Sequence, residues 1–258
     1  MNTRGIAIIL YTVRDPAKDN LADTLKRVRD AGWEFVQWSG MPELPAEEIR
    51  AALDAADLTA IAGHYPIEPF EEDFEAALRH WKIIGADDVA PGGMMAECRD
   101  SFDAWMAGAR RIAEVGRKLR QEGIRLSYHN HAFELERFPE DERCKLDILY
   151  DEVPREDLCA ELDLAWLKVG GADPAAYLEK HAGRCPVIHV KDVKADLRDG
   201  EPHFTELGRG ALEWDGIFKA AEKAGVEWYV YEQDTCDGDV FDSIRVSYEF
   251  LKQNAPIT

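Results

Sequence analysis

The chain has 258 residues, 46% of them hydrophobic, and 51 acidic residues stand against 31 basic ones for a net charge of −20. The length is close to the roughly 250 residues of one (β/α)8 barrel and suffices for a core without disulfides. The acidic balance argues against a nucleic-acid partner, whose backbone needs a basic footprint, and no apolar run approaches the ~18 residues of a membrane span.

The N-terminal Met1–Gly5 leads directly into the strand-like Ile6–Leu10, which is too short for a secretory signal and lacks its cleavage site. The five cysteines, Cys98, Cys144, Cys159, Cys185 and Cys236, are widely spaced and form no C-x-x-C pair. That spacing speaks against structural zinc, and a reducing cytoplasm is the expected location.

Strand-like runs occur at 5–11, 35–38, 58–64, 88–91, 124–131, 158–163, 187–191 and 228–232. Amphipathic stretches alternate with them at 21–31, 45–56, 70–84, 102–122, 146–152, 174–181 and 214–224, and a last one covers 240–251. In 102–122, Trp105, Ala109, Ile112, Val115 and Leu119 recur at helical spacing. Pro16, Pro45 and Pro174 stand near helix starts, where a missing N–H is harmless. Gly32, Gly85, Gly123, Gly183 and Gly225 each follow a helix and precede a strand, the place of a left-handed cap. Eight such units without a long linker predict one domain, 1–258, folded as an α/β (β/α)8 TIM barrel. An open doubly wound sheet is the alternative. Tyr11-Thr12-Val13-Arg14-Asp15 follows the first strand where a nucleotide-binding fold would place a glycine-rich loop.

Active sites of such barrels lie at the C-terminal ends of the strands. Those ends carry Tyr11, Gln37 and Trp38, His64, Pro91-Gly92-Gly93, the run His129-Asn130-His131 with Glu134, Asp163 with Trp166, His189 with Lys191 and Asp192, and Glu232 with Asp234. Carboxylates with an imidazole suit Mn2+, Mg2+ or Co2+, with Zn2+ also possible. His189 lies within an apolar strand, where an unpartnered polar ring is costly, and Glu232 ends a similar run. Asp163 could instead cap the following helix. His80 and His181 fall on predicted helices and read as structural, and Trp33, Trp81, Trp105 and Trp214 as packing.

These residues resemble a known family, the xylose-isomerase-like sugar-phosphate isomerases/epimerases, over nearly the whole chain. Tyr128-His129-Asn130-His131-Ala132-Phe133-Glu134 resembles the subgroup hallmark Y-H-N-H-D-F-E, with Ala132 replacing the aspartate. Glu161-Leu162-Asp163-x-x-Trp166, His189-Val190-Lys191-Asp192, Leu207-Gly208-x-Gly210 and Glu232-Gln233-Asp234 match further motifs. The resemblance implies a TIM barrel with one divalent metal, Mn2+ foremost, held by Asp163, His189, Glu232 and a fifth-strand residue. Ser127 stands where relatives resembling ketose epimerases carry a glutamate ligand, so Glu134 takes that place by analogy with relatives resembling inosose dehydratases. His129 is the alternative.

The implied activity is metal-dependent sugar isomerisation or epimerisation by proton transfer next to a carbonyl, through a metal-stabilised enediolate. Glu232 or Glu134 would be the base and His131 or His129 the partner acid. Lys191 would hold a substrate oxygen. His64, His129, Asn130 and Lys191 are the expected polar contacts to substrate, and Trp38, Trp166 and Tyr11 the expected apolar walls. The substrate would be a small carbohydrate, and the absence of a basic cluster favours an unphosphorylated sugar, keto-sugar or inositol. Dehydration of an inosose or keto-sugar and a non-catalytic sugar-binding barrel are the alternatives, the latter supported by Ser127 and Ala132. A homo-oligomer is possible. DNA repair, the work of apurinic endonucleases of the same superfamily, fits poorly with the charge.

Overall fold

A computed structural model describes residues 4–257. Eight strands close into a parallel barrel: β1 (Gly5–Ile9), β2 (Phe35–Trp38), β3 (Thr59–His64), β4 (Asp88–Ala90), β5 (Arg125–His129), β6 (Cys159–Asp163), β7 (Val187–Val190) and β10 (Trp228–Tyr231). Each neighbours the next barrel strand in sequence, and β10 closes on β1. The expected barrel is therefore the fold.

Two strands were not foreseen in the sequence. β8 (Asp192–Arg198) and β9 (Glu201–Thr205) form an antiparallel hairpin directly after β7. Its charged face and short turn at Asp199-Gly200 carry little hydrophobic alternation, the signal on which strand recognition rests. The stretch expected as one helix over 70–84 is two, Glu68–Glu72 and Phe74–Ile84, divided at Asp73, whose side chain caps the second through Ala76 N–H. The five glycines expected between helix and strand all have positive φ, from 74° to 107°.

The larger apolar core lies between the barrel and its helices and includes Trp33, Trp81, Trp105 and Trp214, in keeping with their reading as packing residues. A smaller cluster fills the barrel's interior: Ala7, Ile9, Ile61, Ala62, Val187, Trp228 and Val230, with Phe35 against it. Side chains alternate along a strand, so the residues two positions further on point inward one layer higher. After Val187 these are His189 and Lys191; after Val230 it is Glu232. The apolar plug thus ends where a polar layer begins.

One helix contact is unusually close. The helix Phe102–Gln121 passes Asp157 so tightly that a Cβ on Gly116 would lie 1.9 Å from the Asp157 carbonyl oxygen. Backbone occupies that space, so a side chain there forces the helix outward. Gly116→Ala is expected to lower the unfolding free energy by about 1–3 kcal/mol, the usual result of overpacking. Urea denaturation checks this, and an unchanged midpoint would contradict the close approach.

Candidate metal centre

Strand register brings the polar layer together. His129 pairs with Glu161 across β5 and β6, and Asp163 pairs with His189 across β6 and β7. His189 is also opposite Val230, two residues before Glu232. Period-two alternation keeps Glu161 and Asp163 on the same inward face. All five side chains are buried.

Their contacts form two linked groups. His189 Nδ1 lies 2.7 Å from Glu232 Oε2, and His189 Nε2 lies 2.7 Å from Gln37 Oε1 and 3.1 Å from Glu161 Oε1. Glu161 Oε1 also meets His64 Nε2 at 2.7 Å, while Glu161 Oε2 accepts a hydrogen bond from Gln37 Nε2 at 2.9 Å. On the other side Lys191 Nζ is 3.0 Å from Asp163 Oδ2, 3.1 Å from Glu232 Oε2 and 3.0 Å from Asp234 Oδ2. His129, Asp163, His189 and Glu232 offer ligand atoms within 4.8 Å of one another.

These residues fit a divalent cation on two grounds. The first is charge. Four carboxylates, Glu161, Asp163, Glu232 and Asp234, face the cations of Lys191 and His189. Burial opposes the His189 charge, but the Glu161 and Glu232 carboxylates outweigh it and push the imidazole up to about 10. Burial likewise raises Asp163, to about 6, against the pull of the Lys191 ammonium. The second ground is an incompletely satisfied atom. Asp163 Oδ2 is fully buried without an aligned hydrogen bond, although Lys191 Nζ is near it. Asp163 Oδ1 does cap the next helix through Trp166 N–H at 2.9 Å, so the two readings of this aspartate coexist on its two oxygens.

The other expected site residues fall in distinct places. Tyr11, His64, His129, His131, Trp166, Glu232 and Asp234 line a cleft of about 540 Å³ above the centre, with Phe204 of the unforeseen hairpin as another wall. Trp38 lines an adjoining cleft, which shares Ser39, His64 and Gly92 with the first. His80, expected to be only structural, stacks on Tyr65 and also lines that second cleft. Asn130 does not line either cleft: its Oδ1 accepts from Asp163 N–H at 3.0 Å, so it holds the aspartate from behind. Glu134 stands outside the grouped ligand atoms. It accepts from the Tyr128 hydroxyl at 2.9 Å and from His131 N–H at 2.8 Å, and burial pushes its carboxyl up to about 7. Burial, helped by the Lys191 charge, brings the His131 imidazole down to about 4, so it is neutral at pH 7.

Asp192 fixes the loop that follows the hairpin. Its carboxylate accepts hydrogen bonds from Gly208, Gly210, Leu212 and Val193 N–H and from Trp214 Nε1. A Cβ at Gly210 would lie 2.1 Å from Asp192 Oδ1, which explains the glycine there. Sequence reasoning assigned no role to Glu161 or Gln37. The signal for Glu161 was its place two residues before Asp163, on the same face of the strand.

A family model described as a xylose isomerase-like TIM barrel matches residues 25–253. The chain belongs to that family. Among similar proteins, the rhizopine catabolism protein MocC of Rhizobium meliloti is 24% identical over 91% of this chain and 82% of its own length. An inosose dehydratase of Clostridium beijerinckii is 25% identical over 58% of this chain, but this match spans only 55% of that protein. A solved sugar phosphate isomerase/epimerase of Parabacteroides distasonis superposes with a TM-score of 0.85 at 16% identity, covering 100% of this chain and 99% of that one. No helix among the described residues is long and apolar enough to cross a membrane.

Lys191 is the cation that meets Asp163, Glu232 and Asp234. Lys191→Met is expected to destabilise the metal-free protein by about 3–5 kcal/mol, the cost of stranding buried charges. Mn2+ should raise the melting temperature of the variant more than that of the wild type. Equal stability of the two proteins in chelator would show that Lys191 does not hold this cluster.

Proposed function

We propose that the protein is a divalent-metal-dependent enzyme that moves a proton at the carbon next to a carbonyl of an unphosphorylated sugar, keto-sugar or inosose. The observation that carries this reading is the buried convergence of Asp163, His189 and Glu232, with His129, beneath an open cleft. A divalent ion bound there would supply Lewis-acid polarisation of the substrate's carbonyl oxygen.

The chain's own groups supply the rest. His131 is at the cleft wall and neutral, so it can accept a proton. Its backbone N–H is fixed by Glu134, whose carboxyl near 7 is matched to acid–base work at neutral pH. Glu232, which lines the cleft, is held well below the usual carboxylate range: burial would raise it, but the Lys191 ammonium and His189 overcome that. It is therefore ionised and available as a base or ligand. Lys191 places a fixed positive charge beside Asp163, Glu232 and Asp234, where it can balance charge developing on a substrate oxygen. Trp166 and Tyr11 give flat surfaces for a ring. The lining of the cleft above the centre contains no lysine or arginine, and Arg99 lines only the adjoining cleft, so at the first cleft a substrate group without phosphate is favoured.

Return of the proton to the same carbon from the other face gives epimerisation, and return to the neighbouring carbon gives isomerisation. Loss of a β-hydroxyl instead gives dehydration, the reading favoured by the relative named inosose dehydratase. A screen of ketoses, keto-sugars and inososes in deuterated water with Mn2+ tests the reading. Mass spectrometry should find one substrate that gains solvent deuterium or loses water, and chelation should abolish the change. A substrate that binds but exchanges no hydrogen and loses no water would point to the sugar-binding barrel instead.

A further inference from the structure

The floor of the cleft contains a second convergence of donors, one layer deeper. Three imidazole nitrogens surround one carboxylate oxygen: Glu161 Oε1 is 2.7 Å from His64 Nε2, 3.1 Å from His189 Nε2 and 3.3 Å from His129 Nδ1. Neighbouring donors around a tetrahedral zinc stand about 3.3 Å apart, given bonds near 2.0–2.1 Å. The His129 and His189 separations match that spacing, and the short His64 contact is a hydrogen bond. The rings also crowd around one point, with centroids 4.8 Å apart for His64 and His129, 4.5 Å for His129 and His189, and 5.4 Å for His64 and His189.

His129 provides an independent sign. Its ring is 2% exposed and its Nδ1 faces Glu161 without an aligned hydrogen bond. The two atoms are 3.3 Å apart, where a ring N–H would make only a poorly aligned contact and a metal ion between them would satisfy both. Glu161 is also prepared for the role. Gln37 Nε2 takes up Oε2, which turns Oε1 toward the imidazoles, as an outer hydrogen bond commonly orients a metal ligand.

We propose that His64, His129, His189 and Glu161 form an inner metal position that takes Zn2+ or Co2+, in competition with the outer position at Asp163 and Glu232. Three nitrogens and one oxygen suit those ions better than Mg2+ or Mn2+, which favour the outer, carboxylate-rich set. The competition follows from the shared rings. His189 turns Nε2 to Glu161 and Nδ1 to Glu232, and His129 turns Nδ1 to Glu161 and Nε2 toward Asp163. A neutral imidazole has one lone pair, so each ring serves one position at a time. The identity of the metal therefore selects the depth at which it sits, and an ion in the inner position leaves the outer one without its histidines.

The test uses the full chain, stripped with chelator and loaded with Zn2+ or Mn2+ separately. X-ray absorption of the Zn2+ form should count three imidazoles. His64→Gln should weaken Zn2+ binding about tenfold or more and leave Mn2+ affinity within about threefold. Asp163→Asn should do the reverse. Two or fewer imidazoles on zinc, an equal loss of both metals in His64→Gln, or no Zn2+ binding at all would overturn the inner position. The wild-type absorption count needs no variant to fold. It is also independent of the proposed reaction: three imidazoles on zinc with no hydrogen exchange under Mn2+ would leave this position standing and sink the catalytic reading.

Discussion

Four carboxylates, Glu161, Asp163, Glu232 and Asp234, are held in the mouth of one barrel, and two side-chain cations, Lys191 and His189, hold them there. Each cation lies between carboxylates contributed by different strands: His189 joins Glu161 to Glu232, and Lys191 joins Asp163 to Glu232 and Asp234. Buried charge of one sign is unstable without such partners. The arrangement thus ties together β6, β7 and β10 and leaves a residual negative field at the floor of the cleft. That field is what makes the place suitable for a dication. The helices and the apolar plug below serve to keep these side chains at one level.

The family fold and the site's chemistry meet at strand register. A parallel barrel places consecutive inward residues in layers, and here the lower layer is apolar while the next is almost wholly polar. The change occurs within two residues on each strand: Val187 to His189, Val230 to Glu232. Outer contacts then refine the layer. Asn130 holds Asp163, Gln37 orients Glu161, and Asp192 secures the glycine loop after the hairpin. The two clefts share Ser39, His64 and Gly92.

Much of this was legible in the sequence, for identifiable reasons. The alternation of apolar runs with amphipathic helices, punctuated by glycines with positive φ, dictated the barrel. Burial logic alone singled out His189 and Glu232, because a polar residue ending an apolar strand demands a partner. The fifth strand was harder. Whether Glu134 or His129 accompanies Asp163 depends on how the chain turns after β5, and sequence spacing does not encode that turn. The structure groups His129 with Asp163, His189 and Glu232 and sets Glu134 against Tyr128 and the His131 backbone. The β8–β9 hairpin escaped because the ends of its strands next to the turn are exposed and charged, with Asp237 pairing to Lys194, Arg198 and His203 in place of a hydrophobic pattern.

The central claim is that this residual negative charge is matched to a metal ion. Isothermal titration of Mn2+ into the chelator-stripped full chain, repeated in buffers of different ionisation enthalpy, tests it most directly. His189, pushed up to about 10, carries a proton at neutral pH and must yield it to act as a ligand. The account predicts binding of about one ion with release of about one proton. Absence of binding heat, or binding without proton release, would contradict it.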